Sequence, residues 1–98
     1  MPLTWRYPPE LLDAVRRLGF DPRPETPPVF VRSAVNDLYR HELRRLRDRH
    51  KAGSIDREPF LNAVIMLRKK YWVLTLSAAV WERICDPGNQ EPSGTAPG

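Results

Sequence analysis

The chain predicts an all-α fold, a small antiparallel bundle of three to four helices whose long second and third helices form the central hairpin. Three observations carry this. Apolar residues recur at three- and four-residue spacing in every long segment. The connections between those segments are short and rich in proline or glycine, which makes neighbouring helices antiparallel. Ninety-eight residues fit one domain with one core, expected here over residues 1–86 with an arm at 1–7.

The first helix is expected over about 8–19, in "PPELLDAVRRLGF". Proline is tolerated at a helix start, where its missing N–H would be unpaired anyway. Leu11, Val15 and Leu18 share one face, and Gly19 supplies a left-handed stop with Phe20 folding back on the last turn. After "DPRPE", Thr26 is the expected N-cap and Pro27 the first helical residue of a second helix over about 27–52, ending at Gly53. Val31, Val35, Leu38, Tyr39, Leu43 and Leu46 form its apolar band.

The third helix is expected over about 56–74, with Asp56 as cap and Ile55 stapled to Phe60. Phe60, Ala63, Val64, Leu67, Tyr71 and Leu74 make one stripe, and Leu61, Ile65 and Trp72 a second beside it. So wide an apolar surface predicts a central helix touched on two sides. "YWVLTL" is rich in strand-favouring residues and is equally able to leave the helix as an extended piece. Thr75 or Ser77 then caps a last helix over about 77–85, with Val80, Trp81 and Ile84 inward. Trp72 and Trp81 are assigned to the core. Residues 87–98 have almost nothing to bury and are expected to be disordered.

Composition narrows the function classes. The single cysteine, Cys85, rules out an internal disulfide framework and a multi-cysteine zinc site, and it fits a reducing cytoplasm. The start "MPLTWRYPPE" lacks the pattern of a secretory signal, and no apolar run approaches the ~20 residues of a membrane span. A cytoplasmic protein without membrane contact is expected. There is no glycine-rich phosphate loop, no G-x-S-x-G and no H-E-x-x-H. His41 and His50 fall on opposite sides of one helix and cannot jointly hold a metal. His41 has Asp37 one turn earlier, while His50 reads as a packing or helix-end residue. Cys85 sits at a helix C-terminus, where the dipole does not activate a thiol. No enzyme, metal or cofactor is therefore expected.

Charge is the remaining lead. The formal charge of +4 is concentrated in "DLYRHELRRLRDRHK", where residues 40–51 hold six basic and two acidic side chains. Arg40, Arg44, Arg47 and Lys51 are spaced by four, three and four, so they form one basic ridge opposite the apolar band. Asp37, Glu42 and Asp48 each lie one turn from an arginine or histidine and read as solvated ion pairs, Arg44 with Asp48 among them. The ridge reads first as a solvated face, then as a docking surface for a protein, then as a nucleic-acid grip tracking phosphates. No aromatic residue interleaves with it to stack a base. Trp5, in the arm "LTWRY", reads first as cover for the bundle with Tyr7 and second as an interface anchor.

Leu38-Tyr39-Arg40 followed by Leu43-Arg44 resembles the opening of LYR-motif proteins, small helical mitochondrial adaptors. The resemblance implies an adaptor that binds an acyl carrier protein in iron–sulfur delivery or respiratory assembly. Leu38, Tyr39 and Arg40 would be its motif and Phe60 its downstream phenylalanine. That family carries the motif near the start of its first helix, whereas here it falls mid-helix after a complete preceding one, so the chain is not assigned to it. The expectation is a non-enzymatic helical protein acting through an unknown protein partner or self-association, with nucleic-acid binding through the ridge as the alternative.

Overall fold

The computed structural model describes residues 4–90. Residues 1–3 of the expected arm and 91–98 of the expected disordered tail lie outside the described residues. Along the described chain run α1 (Pro9–Arg17), α2 (Pro28–Lys51), α3 (Arg57–Lys70), a 3₁₀ turn at Trp72–Thr75, α4 (Ala78–Cys85) and a second 3₁₀ turn at Pro87–Gln90. No strand occurs among the described residues. The all-α bundle is as the sequence predicts, with α2 and α3 packed together as a hairpin. Of the stretch expected to lack structure, Pro87–Gln90 wind one turn after α4.

Both helix starts at a double proline shift one residue later than expected. Pro27 is extended, with ψ 135°, and α2 begins at Pro28; Pro8 is likewise extended, with ψ 147°, and α1 begins at Pro9. A residue preceding proline is pushed out of the helical region by the next ring. Thr26 therefore does not cap α2. Its hydroxyl accepts from the Arg23 N–H at 3.1 Å and its carbonyl from the Tyr7 hydroxyl at 2.6 Å, which ties the arm to the connection. Asp56 holds the N-cap position of α3 without a side-chain capping bond, whereas the Ser77 hydroxyl caps α4 by accepting from Val80 N–H at 3.2 Å.

The two glycine stops are as predicted. Gly19 and Gly53 adopt φ of 99° and 81°. In each case the glycine N–H and the next residue's N–H bond back to the last turn: Gly19 to Arg16 and Phe20 to Val15, Gly53 to His50 and Ser54 to Arg49. This is the Schellman closure that consumes orphan carbonyls.

The core sits at one end. Leu11 and Val15 of α1, Val31 and Val35 from the first half of α2, Tyr71 and Val73 of the connection, and Trp81 and Cys85 of α4 are buried, with Tyr7 of the arm closing over them. α2 is the element that touches α3, α4 and the 3₁₀ turn. α3 ends at Lys70 and not near Leu74; Tyr71 leaves the helical region and Trp72–Thr75 tighten into a 3₁₀ turn. Three carbonyls of that connection are answered by side chains from α2 and α4. Trp81 Nε1–H donates to Val73 O at 2.9 Å, and Arg32 donates through Nε to Leu76 O at 2.8 Å and through Nη2 to Leu74 O at 3.1 Å. Tertiary donors thus settle the shape of a segment that local preference leaves open.

Burial pushes the Cys85 thiol up to about 11 from an ordinary 9.0. The folded chain therefore holds a proton between pH ~9 and ~11 that the unfolded chain has lost. Stability contributed by the neutral thiol is complete below pH ~9 and falls as pH rises through that window, by about 2–3 kcal/mol in all. The Tyr7 and Tyr71 phenols, raised mainly by burial, steepen the fall above pH ~10. Urea midpoints are expected to be flat near neutrality and to drop from pH ~9, and Cys85→Ala should remove the portion between ~9 and ~10.

Candidate interaction surface on the helical hairpin

The 24 residues of α2 span about 36 Å. Its first half lies in the core, and its second half leaves the core with α3 as an arm, so the molecule measures 56 × 30 × 20 Å. No residue of α3 is buried. The arm is tied at three levels. At its base the Tyr71 hydroxyl donates to the Glu42 carboxylate, Lys70 Nζ lies 3.4 Å from the same group, and the Tyr39 and Tyr71 rings are 5.3 Å apart. Leu43 and Leu46 of α2 and Ala63, Val64 and Leu67 of α3 are half-buried along its length. At its tip the His50 ring stacks on Phe60, 4.4 Å between centroids and 10° between planes, and Nδ1 reaches Ile55 O at 3.0 Å. His50 is thus a packing residue at a helix end, and Phe60 packs on it across the hairpin.

Two outer surfaces result. On α2, Arg40, Arg44, Arg47 and Lys51 are all exposed, and none forms an ion pair within the described residues. The expected pairs of Arg44 with Asp48 and of His41 with Asp37 do not form; Glu42 turns instead to Lys70 and Tyr71. Exposed i, i+4 pairs contribute only a few tenths of a kcal/mol and are readily forgone to hydration. Residues 40–70 carry ten basic and four acidic side chains, so the arm is more positive than the whole chain.

On α3, Leu61 and Ile65 are 46% and 51% exposed, and Trp72, in the 3₁₀ turn past its end, is 41% exposed. This corrects two expectations. Leu61 and Ile65 of the second stripe are left exposed, and Trp72, which lines a cleft with Ala14 and Arg17 of α1, is not a core residue. α3 is touched on one side, by α2, which takes the central place assigned to α3.

The remaining candidates divide. Trp5 is half-buried against the core, lying with Ala79, Glu82, Arg83 and Asp86 on the α4 side and not on the α2–α3 hairpin. The four ridge residues share one helix face, but Trp5 does not join them. Leu38 and Tyr39 pack toward the core while Arg40 faces outward, so Leu38-Tyr39-Arg40 does not present one surface. Among the described residues no three of His, Cys, Asp and Glu gather as metal ligands, and no helix is long and apolar enough to cross a membrane. Arg32 and the Glu42–Tyr71 pair were not singled out from sequence. Arg32 flanks Val31 at the edge of the apolar band, and that position was its only local signal. No family model matches the chain, and no curated protein or solved structure is significantly similar to it.

Proposed function

We propose that this chain is a non-enzymatic interaction protein that presents the α2–α3 arm to a protein partner. One observation carries the reading: Leu61 and Ile65, one turn apart, lie exposed along the outer side of α3 with Met66 beside them, on a helix with no fully buried residue. Single exposed apolar side chains are ordinary, but a row of them at helical spacing is the surface that partner helices cover. A photo-crosslinking residue placed at position 65 in cells is expected to give discrete protein adducts that Leu61→Glu abolishes. The same residue at Glu82, an exposed position on α4, should give none. Equal labelling at both positions, or none at 65, would remove the reading.

A second reading rests on the ridge. Arg40, Arg44, Arg47 and Lys51 stand unpaired over one face of α2, an arrangement able to follow phosphates with salt-dependent affinity. Binding of generic RNA or DNA at low salt, lost in the Arg40/Arg44/Arg47 to Glu variant, would favour nucleic acid over a protein partner.

A further inference from the structure

We infer that the partner covering the α3 stripe is a second copy of the chain, docked antiparallel along α3 about a two-fold axis; this deepens the interaction reading and rests on it. Glu58, Leu61, Ile65 and Arg68 are spaced by three, four and three, the seam spacing of paired helices, and all four are exposed. At about 100° per residue this seam lies roughly 120° around α3 from the Phe60, Val64 and Leu67 face that meets α2. α3 can therefore hold α2 on one side and a second helix on the other, as in a bundle of two hairpins.

The order of the seam chooses the partner: an acid first, two apolar residues in the middle, a base last. In antiparallel pairing each seam position meets the alternate position of the other helix. Leu61 then faces Ile65 of the second copy, and Glu58 faces its Arg68, each contact occurring twice, as a two-fold requires. Neither Glu58 nor Arg68 has an ion-pair partner within the described residues of its own chain. Asn62 and Val64, beside the axis in this register, bring no like charges together. Parallel pairing would set Glu58 against Glu58 and Arg68 against Arg68, which disfavours it. The α2 ridge, although positive, lies on the other helix of each arm. A seam of this size predicts a weak, concentration-dependent dimer.

Sedimentation equilibrium of the full chain between about 5 µM and 500 µM should show a monomer–dimer equilibrium. Glu58→Arg and Arg68→Glu should each weaken it about tenfold or more, since each sets like charges face to face twice over. The double variant restores opposite charges and should return to within about threefold of wild type. Circular dichroism checks that the exposed substitutions leave the helices intact. A chain monomeric at every concentration overturns the proposal, as does a dimer indifferent to both single variants or one the double variant does not restore. If that monomeric chain is still crosslinked through position 65 to a different protein, the second copy is wrong and the interaction reading stands. If it is neither dimeric nor crosslinked there, both fall.

Discussion

Trp81→Ala is expected to leave the protein largely unfolded at room temperature. Trp81 is fully buried where α1, α2 and the 3₁₀ turn converge, and it is the largest side chain in the core. Truncating a buried tryptophan to alanine costs about 3–5 kcal/mol through lost burial and the cavity left behind. The deletion also removes the 2.9 Å bond from Trp81 Nε1–H to Val73 O, leaving that carbonyl only the Leu76 N–H at 3.3 Å, and a lost hydrogen bond of this kind adds about 0.5–1.5 kcal/mol. A domain of this size has roughly 5–15 kcal/mol in total. Urea unfolding followed by circular dichroism should show a lost or severely shifted transition. Trp81→Phe separates the two contributions in part, because it keeps most of the packing while removing the N–H; a loss of about 1–3 kcal/mol is expected. A Trp81→Ala protein with a near wild-type midpoint would show that the core does not depend on this side chain.

Arg32→Ala is expected to cost about 2–4 kcal/mol and to loosen the Tyr71–Leu76 connection before the rest of the fold. One guanidinium holds Leu74 O and Leu76 O in place. Hydrogen bonds from a charged donor contribute about 1.5–3 kcal/mol each, and solvent reaching this half-buried site offsets part of the loss. Arg32→Lys should recover less than half of it, because an ammonium lacks the planar fork that serves two acceptors at once. Hydrogen exchange should show faster amide exchange in residues 71–76 while the α2 amides around Val35 keep their protection. Unchanged exchange in the connection would mean that its shape is held by the buried Val73 and Tyr71 side chains alone.

These two residues differ in how visible they are in the amino-acid string. Trp81 is read as inward because it shares a helical face with Val80 and Ile84 in a short capped helix. The role of Arg32 depends on carbonyls more than forty positions away, and no local pattern announces them. The same contrast governs the arm. Charged residues at three- and four-residue spacing are legible as one ridge, and the structure leaves that ridge outside and unpaired. The stripe on α3 is equally legible as apolar, but periodicity reads the same for a face covered by the chain itself and for one left open. The expectation of two covered sides came from that ambiguity.

The sequence by itself determined the helices and most of their ends. Apolar spacing, double prolines and glycine stops act within one or two turns, so their effect travels with the local chain. The one-residue shifts at the two proline starts were local too, since the rule that a residue before proline leaves the helical region was available in "YPPE" and "TPP". Only the tertiary structure decided that α2 is the central element, that Trp72 and the Leu61–Ile65 stripe face outward, and that "YWVLTL" closes as a 3₁₀ turn. Each of these depends on which distant group arrives to bury a side chain or to answer a carbonyl. Such partners are set by how few helices there are to cover how many apolar faces: α1 and α4 are short and already spent on the core end, so nothing within the described chain remains to cover the outer side of α3.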